Sequence, residues 1–241
     1  MFSINLKRFC KYKIRKFFLK KPNYQLDDNF EFVKNLRKYG LSKKNQFYKE
    51  NSLASEIIKA FDKISDKKLT KFLSNDRKNK TRYSYRSSIT HFFDKKLLYD
   101  YANQNIFIDN FKQYFGLEPK IRMISVWIDY PNIGEKKNSQ LFHRDYDDVF
   151  LVKTFLCLTN VKKENGPFQF LLKSHLSPWI NKLNIMKNPL SSLIAKKGDL
   201  YMADTNGFHK GKKLIRGFRC LLNVQYVSDK PMTGFSKKII N

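Results

Sequence analysis

Ile121-Arg122-Met123-Ile124-Ser125-Val126-Trp127-Ile128-Asp129-Tyr130 is the stretch on which the reading of this chain turns. It is rich in β-branched and aromatic residues and stops at Pro131-Asn132, which predicts a strand. Strand-like runs recur downstream at 149–158, 167–172, 193–195, 200–203 and 217–227. Turn signals separate them: Asn165-Gly166-Pro167, Asn188-Pro189, Lys197-Gly198-Asp199 and Asn206-Gly207. Short strands at this spacing indicate a sandwich or barrel, not βαβ units. Upstream, the period is helical. Phe32, Val33, Leu36 and Tyr39 run to Gly40, with Asp28 or Asn29 as cap. Leu53, Ile57, Phe61 and Ile64 follow from near Ser52; Leu97, Leu98 and Tyr101, then Ile108, Phe111, Tyr114 and Phe115, precede Gly116. Residues 74–88 are polar, carry five basic side chains and read as a loop. Helices first and strands second give an α+β chain whose helices brace one β-unit.

A chain of 241 residues suits one full-sized domain and buries a core without disulfides or a structural metal. The reading is a basic segment over 1–24, then a single domain over 25–241, helical through 25–118 and β through 119–230. Net charge is +27, carried by 38 Lys and only 10 Arg. That skew reads as composition bias; with no recognition motif, nucleic acid is disfavoured as a partner. Three scattered cysteines, Cys10, Cys157 and Cys220, exclude a disulfide framework or CxxC site and favour a reducing, cytoplasmic setting. No apolar run approaches the roughly 18 residues of a membrane span. Phe17-Phe18-Leu19 is too short for a signal-peptide core. Residues 1–24 hold eight basic side chains and no acid. On a helix Phe2, Leu6, Phe9, Cys10, Ile14 and Phe17 share one half, with Lys13 and Lys20 intruding. Two readings follow: a solvated helix capping the domain, or weak peripheral contact of residues 1–21 with anionic membrane.

There are four histidines, so each can be weighed. His143 and Asp145 stand at i and i+2, which in extended chain puts both side chains on one side. His209 comes after several strands, in Gly207-Phe208-His209-Lys210-Gly211. Two histidines and one carboxylate leave about half of an octahedral shell open, the arrangement of non-haem Fe(II) oxygenases. In the strand 217–227 one face holds Phe218, Cys220, Leu222, Val224 and Tyr226, and the other Arg219, Leu221, Asn223 and Gln225. The polar face suits either solvent or a barrel interior in which Arg219 pairs with a carboxylate. Arg216 is the competing arginine and reads as a turn residue. His175 reads as a turn residue and His91 as a half-buried one beside Phe92. Trp127 reads as core, Lys153 as solvated or inward-facing, and Asp147 and Asp148 as solvent or rim residues.

The stretch Ser139-Gln140-Leu141-Phe142-His143-Arg144-Asp145-Tyr146 with Glu164-Asn165-Gly166-Pro167, Ser174-His175, Gly198-Asp199, Phe208-His209-Lys210-Gly211 and Arg219 resembles the phytanoyl-CoA dioxygenase-like family. The resemblance spans roughly 121–227. It implies a double-stranded β-helix (jelly-roll or cupin-like) core and an iron(II)- and 2-oxoglutarate-dependent dioxygenase with O₂ as second co-substrate. It implies that His143, Asp145 and His209 bind iron and that Arg219 binds the distal carboxylate of 2-oxoglutarate. Phe155 and Ser125 fall at co-substrate-lining positions. The retained carboxylate of Asp145 implies hydroxylation and not halogenation. A small molecule, lipid or glycan fits as substrate, and the oligomeric state is open. Lys173 stands where the family usually has Gly, and the helical half resembles nothing placed. The rival expectation is a non-catalytic basic protein on the same fold, bound to anionic membrane or nucleic acid.

Overall fold

The computed structural model describes residues 10, 14, 30–64, 66–78, 85–132, 138–176, 187–232 and 239–240. Apart from Cys10 and Ile14, the basic segment and its membrane reading lie outside the described residues, as do Asp28 and Asn29.

Five helices are described: α1 (Glu31–Tyr39), α2 (Ser52–Asp62), α3 (Asp66–Lys78), α4 (Lys95–Ala102) and α5 (Asn105–Phe115). Their ends follow local chemistry. Asn51 caps α2 by accepting from the Ala54 N–H, and Asp94 caps α4 by accepting from the Leu97 N–H. Gly40 closes α1 at φ 77°, with its N–H donating to the Leu36 carbonyl. The N-cap of α1 is Phe30, which offers no side-chain acceptor.

The strands are β1 (Leu41–Lys44), β2 (Arg86–Ser88), β3 (Lys120–Asp129), β4 (Leu151–Cys157), β5 (Phe168–Leu171), β6 (Leu190–Leu193), β7 (Leu200–Ala203), β8 (His209–Gly211) and β9 (Arg219–Val227). One sheet runs β1-β7-β4-β9-β3-β2 and the other β6-β5-β8, with every strand pair antiparallel. Two differences from the sequence reading concern short elements. The stretch 74–88 is not one loop: α3 runs on through Lys78, and β2 pairs Ser87 with Ile128. The expected strand at 193–195 lies earlier, at Leu190–Leu193, because Phe168 takes Leu193 as its partner; Ala195 makes only an isolated bridge to Val161.

The larger sheet is buried on both faces. Ile124, Val126, Ile128, Leu156, Cys220, Leu222, Val224 and Tyr226 form one core with the helices. Phe155, Cys157, Tyr201, Ala203 and Leu221 form a second core with Phe168, Phe170 and Leu193 of the smaller sheet. The solvent reading of the polar face of β9 therefore fails: all nine residues of that strand are buried. No described helix is long and apolar enough to cross a membrane.

Lys173 occupies the tight turn after β5 at φ 64°, with its N–H donating to the Tyr39 carbonyl at 2.8 Å. The turn forms without the glycine, at the expense of a left-handed backbone. Lys173→Gly is expected to raise stability by up to about 1 kcal/mol, relief of Cβ strain being partly offset by glycine's chain entropy. The urea midpoint checks this; a lower midpoint would mean the lysine stem contributes packing that outweighs the strain.

Candidate metal centre

His143, Asp145 and His209 come together because two distant segments pair through their backbones. The His143 N–H donates to the His209 carbonyl at 3.0 Å, and the His209 N–H returns the bond at 3.0 Å. The Asp145 N–H donates to the Thr205 carbonyl at 2.9 Å. Between His143 and Asp145, Arg144 turns the other way. It is buried, donates to the Asn206 carbonyl at 2.9 Å and lies over the Phe208 ring, so it ties the ligand segment to the turn before β8. Ser174 supports the same turn by accepting from the Phe208 N–H at 2.7 Å.

The ligand atoms of the three side chains lie within 4.8 Å of one another. His143 Nε2 is 3.8 Å from Asp145 Oδ1, and His209 Nε2 is 3.5 Å from Asp145 Oδ2. Both Nδ1 atoms are engaged by carbonyls, His143 with Leu141 at 2.8 Å and His209 with Gly207 at 2.9 Å. A carbonyl can only accept, so Nδ1 carries a proton in both rings and Nε2 is the atom turned toward Asp145. Burial, with His143 adding to it, pushes the His209 pKa down to about 3 against the pull of Asp145. Burial alone would raise the Asp145 carboxyl; the Lys153 ammonium, then the two histidines, outweigh it and hold the group well below the usual carboxylate range. Two imidazole Nε2 atoms and a carboxylate at one point are a donor set for a first-row divalent ion, whose adjacent ligands sit roughly 3 Å apart.

Beside the triad lies a cavity of about 80 Å³, lined by Arg86, Trp127, Lys153, Phe155, Phe168 and Arg219 among others. Arg219 faces Asp129 across the β3–β9 ladder and is nearly fully buried. Its Nε and Nη2 donate to Asp129 Oδ2 at 3.2 and 2.5 Å, and its Nη1 donates to the Gly166 carbonyl. Three of five guanidinium N–H groups are thus used, which fixes the plane and leaves two for a ligand. Gly211 stands close by: a Cβ there would meet Arg219 Nη2 at 3.1 Å.

Phe155 lines the cavity, 5.4 Å from Phe168 and 5.0 Å from Tyr201 between ring centroids. Ser125 is buried on the interior face opposite Asn223 but is not among the cavity's lining residues. Arg216 is exposed in a turn and pairs with Glu164 at 3.2 Å. His175 is buried and engages the Arg37 carbonyl at 3.2 Å; His91 is exposed against Phe72 and Phe92. Neither lines the cavity.

His91, read as half-buried, is exposed; three further side chains depart from their sequence readings, and Lys153 takes the inward one of its two. Trp127 is a cavity wall and not simple core, and its buried Nε1–H has no acceptor among the described residues. Lys153 points inward and pairs with Asp145 at 2.7 Å. Asp148 is fully buried, accepting from the N–H groups of Val149 and Ser228. Arg86, read as part of a loop, lies 4.1 Å over the Trp127 ring and bonds Asp129 at 2.6 Å. The period-2 alternation of β3 and β4 is the signal that could have placed Trp127 and Lys153 on the same side as Asp129 and Phe155.

No family profile and no curated protein matches the chain in sequence. Solved structures do match. The epimerase SnoN in complex with Fe3+, alpha ketoglutarate and nogalamycin RO is 13% identical at TM-score 0.58, over 84% of this chain and 85% of that one. EctD from S. alaskensis with 2-oxoglutarate and 5-hydroxyectoine is 14% identical at TM-score 0.59, over 87% and 79%. HygX from Streptomyces hygroscopicus with nickel and 2-oxoglutarate bound is 12% identical at TM-score 0.53, over 85% and 88%. The architecture of this chain, a helix-braced, cupin-like double-stranded β-helix, is the one these metal- and 2-oxoglutarate-binding proteins share.

Proposed function

We propose that the protein is an Fe(II)- and 2-oxoglutarate-dependent dioxygenase of the phytanoyl-CoA dioxygenase-like kind, hydroxylating a C–H bond of a small-molecule, lipid or glycan substrate. The observation that carries the reading is the convergence of two Nε2 atoms and one carboxylate beside a cavity that also holds the buried Arg219. With Fe(II), 2-oxoglutarate and O₂ bound, such a centre oxidises a C–H bond while 2-oxoglutarate goes to succinate and CO₂.

The chain's own residues supply position and exclusion. His143, Asp145 and His209 would hold the metal on one side, leaving the opposite positions for co-substrate and oxygen. Arg219, held flat by Asp129, suits the distal carboxylate of 2-oxoglutarate through its two remaining N–H groups. The Trp127 Nε1–H offers a further donor. Phe155 and Phe168 form an aromatic wall of the cavity, with Tyr201 stacked behind them, that would limit water around a bound substrate.

Succinate release from 2-oxoglutarate with Fe(II) and ascorbate tests the reading; no release under any substrate condition would sink it. Within that assay, Arg219→Lys is expected to raise the 2-oxoglutarate requirement at least about tenfold, since a lysine loses the planar grip. Arg216→Lys, on an exposed pair, is expected to shift it less than about twofold. If Arg216→Lys proves the damaging change, the register of the last strand is not the one that binds co-substrate.

A further inference from the structure

Lys153 extends from β4 into the cavity on the same side as Phe155 and is the one lysine among its described lining residues. Its Nζ lies 2.7 Å from Asp145 Oδ2, the oxygen that also faces His209 Nε2 at 3.5 Å. The ammonium therefore holds one oxygen of the carboxylate whose charge a metal at the triad would share; the other oxygen, Oδ1, faces His143 Nε2 at 3.8 Å. An ammonium with its side chain only 17% exposed is tolerable because that carboxylate offsets its lost hydration.

A divalent ion on Asp145 changes this balance. The carboxylate's charge is drawn to the metal, and two cations then stand a few ångströms apart in a poorly solvated pocket. Asp129, the carboxylate that the described residues bring to the cavity's arginines, is already shared by Arg86 and Arg219. The loaded cavity holds an excess of positive charge beside the metal. A 2-oxo acid brings an anion to that spot, because its distal carboxylate is assigned to Arg219.

Resting on the function proposed above, we infer that Lys153 is an exchangeable counter-ion. It neutralises Asp145 in the metal-free protein and binds the metal-proximal carboxylate of 2-oxoglutarate once the metal is in place. Lys153 thus opposes the metal and favours the co-substrate, two effects of opposite sign from one side chain.

Calorimetric titration of the full chain with Ni(II), then of the nickel-loaded protein with 2-oxoglutarate, reads both effects without turnover. Lys153→Met is expected to bind Ni(II) about tenfold tighter and 2-oxoglutarate at least about tenfold weaker. Lys153→Arg keeps the charge and is expected to restore 2-oxoglutarate binding to within about threefold of wild type while leaving Ni(II) weak. A purely structural role would weaken both ligands together. Ni(II) binding that is unchanged or weaker in Lys153→Met, or 2-oxoglutarate binding that is unchanged, overturns the inference. Wild type binding neither ligand would overturn the oxygenase reading itself; wild type binding both, with no movement in Lys153→Met, overturns only the role of Lys153.

Discussion

His143→Ala or Asp145→Ala is expected to weaken metal binding by at least about 100-fold, and succinate release from 2-oxoglutarate should vanish with it. Loss of an orienting outer-shell group alone typically costs 10–100-fold, and a direct ligand contributes more. The fold should survive, because the contacts that bring the segments together are backbone bonds: His143 with His209, and the Asp145 N–H with the Thr205 carbonyl. Neither needs the side chain. In Asp145→Ala the Lys153 ammonium loses its partner, so a modest loss of stability accompanies the loss of metal. Nickel titration with a thermal melt of each variant separates the two effects. Wild-type affinity in either variant would remove these residues as ligands.

Asp129→Ala should lower stability by about 3–5 kcal/mol, the range for breaking a buried ion pair from one side. Asp129 is fully buried and serves two guanidiniums, Arg86 at 2.6 Å and Arg219 at 2.5 Å. Its removal leaves Arg219 nearly fully buried with only the Gly166 carbonyl. Burial would raise the Asp129 carboxyl, but Arg86 and then Arg219 outweigh it and hold the group below the ordinary carboxylate value. The sign follows from linkage. A lowered folded pKa gives stability that is fully present above the unfolded value and is lost as pH falls through the folded one. Asp129→Asn should therefore be less stable at neutral pH and should lose part of the acid-side fall in stability. Urea unfolding at neutral and acid pH measures both; a wild-type midpoint for Asp129→Ala would show that the arginines find other partners.

The long elements were legible in the sequence because their patterns are set by burial over many residues. The strands β3, β4 and β9 and the helices ending at Gly40 and Gly116 follow from alternation and from glycine stop signals. Of the short ones, β5 and β7 were legible and others were not. β1, β2 and β8 have three or four residues each and polar members, and they exist because a neighbouring strand offers a partner. Helix α3 reads Asp-Lys-Lys-Leu-Thr-Lys-Phe-Leu-Ser-Asn-Asp-Arg-Lys, with too little apolar content to declare itself. At the site, His143, Asp145, His209 and Arg219 stood out through residue type and order. Lys153, Trp127 and Asp129 did not, because lysine, tryptophan and aspartate have more common uses at a surface or in a core. What distinguishes them is which interior they face, and that depends on how two sheets close on each other.

The backbone bridge between His143 and His209 also governs when the site can exist. One partner precedes β4 and the other belongs to β8, so the segments meet only after the strands between them have closed into two sheets. The pair of imidazoles is therefore expected late in folding, and a metal ion held there would be a poor nucleus for it. Such an ion would act on the finished protein, stabilising it by mass action, about 2.7 kcal/mol at a hundredfold excess over Kd. Such a ligand lengthens the lifetime of the native state by slowing unfolding and leaves the rate of folding unchanged. A metal held at this bridge would be a latch set after the door has shut.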